Sequence, residues 1–101
     1  MSVQTLSFTV NGTGATAPVP VPAVDNPRLI GMVHVDSGTP IYTVEYTLDG
    51  TRWKPLESAV EGVSVTEDFV VVFPVKALRL SVFSGDGATT MVVRYDDKGF
   101  A

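Results

Sequence analysis

The sequence predicts an all-β domain, an antiparallel β-sandwich of about seven strands in an Ig-like or jelly-roll-like arrangement, or a short barrel. Valine and threonine, which are β-branched and favour strands, make up about three in ten of its 101 residues. Short runs of strand type recur at about ten-residue intervals between turn signals. No window combines helical periodicity with capping residues. The length predicts one domain spanning residues 1–101.

In the first half of the chain, strands are predicted over residues 3–10, 29–35 and 41–48. Leu6, Phe8 and Val10 alternate with polar residues and indicate one buried face of the first strand. In the third strand the predicted inward positions are Tyr42, Val44, Tyr46 and Leu48. The dipeptide that follows, Asp49-Gly50, indicates a hairpin. Trp53 is then expected to cover one end of the core.

In the second half, a weaker strand is predicted over residues 60–65, where Gly62 interrupts the apolar pattern. The continuous apolar run at residues 69–73 is typical of a strand buried on both faces. Two further strands, at residues 75–83 and 88–95, are joined by a glycine-rich hairpin loop. Residues 96–101 are predicted to be a short polar tail.

Prolines alternate with other residues in a predicted extended segment over residues 15–27. Each proline removes a backbone donor, so polyproline II is favoured over a paired strand. The segment is interpreted as a stiff connection between strands. The alternative is an arm that presents Val19, Val21 and Val24 to a neighbouring subunit, at a small entropic cost.

The charge and composition bear on several classes of partner. A net charge of −4, with seven basic residues, predicts that the protein does not bind nucleic acid. No apolar stretch reaches the roughly 20 residues needed to span a bilayer, and no signal peptide is evident, so folding in a cytoplasm is expected. The absence of cysteine excludes disulfides and thiolate metal sites.

The residue patterns predict no catalytic site, no metal site, no cofactor and no small-molecule substrate. The one histidine, His34, lies within a predicted strand and is interpreted as a half-buried packing residue. Arg79 is expected to pair with Glu45 or Asp49, from the strand faces alone. Trp53 leaves open a carbohydrate-binding or adhesion role by stacking on a sugar.

Three stretches carry a resemblance to a known group of proteins. Residues 44–53 (Val-Glu-Tyr-Thr-Leu-Asp-Gly-Thr-Arg-Trp) are followed by Ala-Leu-Arg-Leu within residues 74–82 and by a Gly-rich hairpin and a Thr/Val-rich strand within residues 85–93. This order resembles small virion structural proteins of tailed bacteriophages. Thr47 stands where that pattern more often has serine. The similarity spans roughly residues 31–95.

The resemblance implies a structural protein of the virion that binds the outside of a phage capsid as a decoration or cement protein. A head–tail, neck or tail component is the alternative. The implied partners are the major capsid protein or other virion proteins, with further copies of the chain in a homo-oligomer. The candidate interaction residues are Val19, Val21 and Val24 in the proline-rich segment, with Arg52 and Trp53 beside the hairpin.

Overall fold

A computed structural model describes residues 3–21, 29–71 and 74–96. Within these residues the chain is built from β-strands and a single 3-10 turn, which confirms the all-β class. The elements are β1 (Val3–Asn11), β2 (Gly14–Ala15), β3 (Val19–Pro20), β4 (Leu29–Val35), β5 (Ile41–Thr47), β6 (Trp53–Pro55), the 3-10 turn (Ser58–Val60), β7 (Glu67–Val71), β8 (Ala77–Ser84) and β9 (Ala88–Asp96).

The strands form two antiparallel sheets packed face to face. The four-stranded sheet has the order β1-β9-β4-β7, and the five-stranded sheet has the order β2-β8-β5-β6 with β3 also paired to β8. If β2 and β3 are counted as one interrupted strand, this is the connectivity of a jelly roll. An Ig-like sandwich would place its first two strands in one sheet, whereas β1 and β2 lie in different sheets. The described strands do not close into a barrel.

The core lies between the sheets and is filled by alternate residues of both. This confirms the inward face predicted for residues 3–10, because Val10 is buried and Leu6 and Phe8 pack against the core. The largest fully buried side chains are Tyr42, Leu29, Leu78, Leu80 and Met91.

The strand predicted over residues 60–65 is wrong. The chain forms the 3-10 turn Ser58–Val60 there and afterwards meets β5 through one isolated bridge, Val63 to Tyr42. The cause lies in Val60 and Gly62. Val60 is fully buried in the core, and Gly62 adopts a left-handed φ of 62° that no regular strand accommodates.

The prediction that residues 69–73 are buried on both faces is also wrong for the part that the structure describes. Phe69 and Val71 face the core, but Val70 is 49% exposed. The reason is that β7 lies at the edge of the four-stranded sheet, whose outer face carries no further layer among the described residues. Residues 72–73 lie outside the described residues.

Leu48 was predicted to face the core and is instead 67% exposed. β5 ends one residue earlier, at Thr47, and the chain then turns. The hairpin itself is confirmed: β5 and β6 pair with Thr47 opposite Trp53, and Gly50 supplies a φ of 85°.

In the proline-rich segment, the prediction of an unpaired polyproline II run is wrong at several points, beginning with Ala15, which pairs with Ser81 of β8. Val19–Pro20 pairs with β8, opposite Leu78 and Ala77. The backbone N–H of Val21 then donates to the carbonyl of Lys76 at 3.1 Å. Residues 22–28, which include Val24, and residues 97–101 of the predicted tail lie outside the described residues.

Candidate interaction surfaces

The turn between β5 and β6 is organised around Asp49. Its Oδ1 accepts the backbone N–H groups of Thr51 and Arg52, each at 2.9 Å, and its Oδ2 accepts from Nε of Arg52 at 2.9 Å. The backbone N–H of Arg52, then that of Thr51, then the Arg52 side chain hold the pKa of Asp49 well below its usual range. The Arg52 side chain is still 87% exposed at the tip of the hairpin. The interaction role of Arg52 therefore stays a prediction, and its side chain is accessible to a partner.

Trp53 lies on the outer face of the five-stranded sheet and not at an end of the core, as its pairing with Thr47 shows. The guanidinium carbon of Arg79 is 4.3 Å from the centroid of the indole ring, a cation–π contact. Nε of Arg79 also donates to Oε1 of Glu45 at 2.7 Å. Of the two acidic partners expected for Arg79, the structure selects Glu45, because the pairing of β5 with β8 places these two residues directly opposite each other.

A shallow groove of about 290 Å³ borders Trp53. Pro18 and Pro20 line it together with Lys76. The half-buried indole supplies an apolar surface, and the ammonium group supplies a hydrogen-bond donor. This combination is suited to a flat ligand with polar edges.

Val19 and Val21, the two described members of the predicted arm, face the core of their own chain. Val19 is 1% exposed and Val21 is 8% exposed. Both belong to the hydrophobic cluster between the sheets. Contrary to the prediction, neither side chain is presented to a partner in this fold, because pairing with β8 turns them inward.

The outer face of the four-stranded sheet, here called the bare face, is partly apolar. Its most exposed apolar side chains are Ile30 (56%), Val70 (49%) and Met32 (40%). They are neighbours, because Ile30 lies opposite Val70 in the pairing of β4 with β7, and Met32 is two residues further along β4. Val92 of β9 lies opposite Met32 on the other side.

Two charged residues flank this apolar group at opposite corners. Arg94 of β9 lies opposite Ile30, and Asp68 of β7 lies opposite Met32. Towards β1 the face continues with Thr5, Ser7 and Thr9, which are exposed. The surface is thus uncharged at its centre, with Arg94 and Asp68 at its margin.

The period of two along a strand places Ile30 and Met32 on one face of β4, but it does not say which face is outside. Both faces of β4 are apolar, so the alternation of apolar and polar residues does not identify the outer face. One signal was present in Gly31, on the opposite face. A Cβ atom there would lie 2.1 Å from Cζ of Phe69, so the glycine makes room for a buried ring and marks the inner face.

His34 is half-buried in β4, opposite Thr90, as predicted. Among residues 3–21, 29–71 and 74–96, no three His, Cys, Asp or Glu side chains come together in a group that could hold a metal ion. In the same residues, no helix has both the length and the apolar character needed to cross a membrane.

Comparison with known proteins shows similarity in fold. No protein-family model matches the sequence, and no curated protein matches it. Among solved structures, a protein of the disulfide-linked pili of Bacillus endospore appendages aligns with a TM-score of 0.58 at 17% identity, over 93% of this chain and 86% of that chain. Oxalate oxidase aligns with a TM-score of 0.53 at 20% identity, over 92% of this chain and 41% of that chain.

A further similar structure is the Yersinia pseudotuberculosis-derived mitogen. Its TM-score is 0.50 at 11% identity, over 99% of this chain and 92% of that chain. Sequence identities this low indicate a similar fold and do not indicate a shared function. The chain shares a two-sheet β-sandwich with a pilus protein, an enzyme and a mitogen, and such diversity on one fold means that function must be argued from surfaces.

Proposed function

We propose that this chain is a structural protein of a virion and binds the outside of a phage capsid through the bare face. The observation that carries the proposal is the contiguous exposure of Ile30, Met32 and Val70 on a flat sheet. Contiguous apolar patches on a soluble domain mark interaction sites. Single exposed apolar residues elsewhere, such as Leu48, need no such explanation.

The energetics suit a protein that binds in many copies. Burying a side chain of this size contributes about 1.5–3 kcal/mol, and these three are already about half covered. Together they supply about 3–4 kcal/mol, far less than the roughly 8 kcal/mol of a micromolar complex. Polar contacts at Arg94 and Asp68 and simultaneous attachment of several linked copies would supply the rest.

The choice of a capsid as partner is supported by the resemblance in residues 31–95 and by the jelly-roll connectivity, which also serves in viral capsid domains. A head–tail, neck or tail component would use the same face. The partner assembly is therefore what the experiment has to distinguish.

The experiment mixes the purified chain with preformed capsid shells and measures copies bound per capsid subunit after sedimentation. We expect a fixed ratio for the native chain, loss of binding for Ile30→Glu, and native binding for the matched control Leu48→Glu, which changes an equally exposed apolar residue at the hairpin. Binding of Ile30→Glu at the native level contradicts the use of this face. Binding only to portal or tail assemblies favours the alternative.

The groove beside Trp53 favours a second candidate function, carbohydrate binding. Trp53 is the one tryptophan of the chain, so its fluorescence reports directly on the groove. Saturable quenching by an oligosaccharide, lost in Lys76→Ala, is expected if sugars stack there. Unchanged emission across a panel of bacterial surface glycans contradicts this second function.

A further inference from the structure

The free edges of the two sheets are protected to different degrees. β6 is three residues long and carries Lys54 and Pro55, and β7 carries Glu67 and Asp68. On the remaining edge of the five-stranded sheet, β2 and β3 are two residues each and are interrupted by proline. Short length, charge and proline are the features that prevent sheet edges from pairing with other chains.

β1 has none of these features. It runs for nine residues, Val-Gln-Thr-Leu-Ser-Phe-Thr-Val-Asn, without a charge or a proline. All nine residues pair in continuous register with β9, from Val3 opposite Asp96 to Asn11 opposite Ala88, so no bulge twists the strand away. On the side of β1 that faces away from β9, no further strand pairs with it among the described residues. Among the described strands it is therefore the long, unprotected edge.

The core beneath β1 is also incompletely closed. Leu6 and Phe8 point inward and pack against the buried cluster, yet both remain only partly buried. Residues at the same depth on the neighbouring strand, Met91 and Val93, are fully buried. The difference arises because β9 has a strand on each side and β1 has one. A further strand beside β1 would complete the burial of Leu6 and Phe8.

We propose that β1 pairs antiparallel with β1 of a second copy of this chain, across a two-fold axis at Ser7. This register uses the whole strand, because Val3 of one copy then lies opposite Asn11 of the other. On the inner side it places Leu6 opposite Phe8, an aliphatic–aromatic pair. On the outer side it places Thr5 opposite Thr9, and Ser7 opposite Ser7.

A second copy fits this edge better than an unrelated strand does. The identical strand matches in length and is uncharged, so no like charges meet, and both copies gain the same apolar closure. The two four-stranded sheets become one eight-stranded sheet, and the two bare faces lie side by side. The inference does not depend on the proposed function, since it concerns the backbone edge of β1 and not the apolar group Ile30, Met32 and Val70 of the bare face.

Engineered cysteines test the register, and the chain has no native cysteine to interfere. In Ser7→Cys the two thiols lie directly opposite, at a Cα separation of about 4.5–5.5 Å that a disulfide can bridge. In the control Thr5→Cys on the same face, the two thiols lie about 14 Å apart along the strands. We expect Ser7→Cys to form a disulfide-linked dimer at least about tenfold faster than Thr5→Cys under mild oxidation. Equal rates overturn the proposal.

Sedimentation of the full chain over a range of concentrations provides the second test. We expect a reversible monomer–dimer equilibrium that Ser7→Lys weakens by about fivefold or more, because two ammonium groups meet at the axis. Thr5→Lys is the matched control, since its charge faces Thr9, and it should have the smaller effect. A monomer at every concentration, or a dimer that Ser7→Lys leaves unchanged, overturns the proposal.

Discussion

The two sheets differ in how their outer faces are covered. On the five-stranded sheet, Thr43 and Thr47 of β5 are only 6% and 1% exposed. The hydroxyl of Thr43 accepts the N–H of Gly62 at 3.0 Å, and Trp53 lies opposite Thr47. On the four-stranded sheet, the equivalent outward side chain Ile30 is 56% exposed.

This difference separates what the chain stabilises by itself from what it leaves open to partners. On the five-stranded sheet, Thr43 is contacted by Gly62 of the chain's own connection after β6, and Thr47 lies beside Trp53. Phe83 of β8 is 57% exposed, so this covering is confined to β5. Among the described residues, the apolar group on the outer face of the four-stranded sheet has no covering segment, and the sheet packs through its inner face. Substitutions should therefore lower stability on one outer face and alter binding on the other.

The largest effect is expected on the inner side of the four-stranded sheet. In Gly31→Val the new side chain occupies the position of the Phe69 ring, which would lie 2.1 Å from the added Cβ. Displacing a buried ring in a packed core should cost about 3 kcal/mol of unfolding free energy. Urea denaturation measures it. In the double variant with Phe69→Leu the cost should fall, and strictly additive costs would contradict the ring contact as the cause.

The second effect concerns the core residue Tyr42 of β5 and the connection between β6 and β7. The hydroxyl of Tyr42 donates to the carbonyl of Val65 in this connection at 2.6 Å. Burial, assisted by the negative charge of Glu67, raises the pKa of Tyr42 from 10.0 to about 12. Folding thus favours the protonated phenol, and its contribution is fully present below pH 10 and is lost as the pH rises through 12.

The change in pKa of Tyr42 corresponds to about 2 kcal/mol of stability lost by pH 12. Denaturant titrations between pH 9 and 12 measure this loss. Tyr42→Phe removes the titrating group and should show a weaker pH dependence over the same window. An identical dependence in this variant would contradict the assignment to Tyr42.

A smaller effect is expected for the ion pair on the covered face. Glu45→Gln keeps the shape of the side chain but removes the charge that meets Nε of Arg79 at 2.7 Å. Since both side chains are partly shielded from solvent, the loss should be about 1 kcal/mol in thermal or urea unfolding. Added salt should reduce the difference between the variant and the native chain. A salt-independent difference would point to packing instead.

The smallest effect on stability is expected on the bare face. Ile30→Thr replaces an exposed β-branched residue by another, so the unfolding free energy should change by no more than about 0.5 kcal/mol. Urea unfolding measures the free energy of unfolding of Ile30→Thr alongside that of Glu45→Gln. A loss above 1 kcal/mol would show that the four-stranded sheet depends on its outer face after all, and the contrast between the two sheets would fail.

Much of this fold could be predicted because its signals are local. The strands at residues 3–10, 29–35, 75–83 and 88–95 follow from short runs of strand type between turn signals, and the hairpin follows from Asp49-Gly50. Predictions failed where tertiary contacts override local pattern. Val60 enters the core through a 3-10 turn, and β7 is apolar on both faces although its outer face is exposed.

The candidate surfaces were less predictable than the strands. The partner of Arg79 could be narrowed to two acidic residues from strand faces, but the choice of Glu45 depended on the register between β5 and β8. Val19 and Val21 were expected to reach a neighbour, and they instead pack in their own core because β3 pairs with β8. The apolar patch on the bare face has one local signal, Gly31, because both faces of β4 are largely apolar. That glycine marks the inner face only through its close approach to Phe69, a contact between distant segments.

The sequence by itself determined that this protein is built from short β-strands, because strand-forming runs and the turn residues between them are properties of neighbouring residues. It also determined the absence of cysteine and the uncharged character of β1. The tertiary structure alone decided which strands lie at the edges and which apolar face is left outside. Those properties arise from pairing between distant segments, such as β1 with β9, and local residue patterns do not specify such partners.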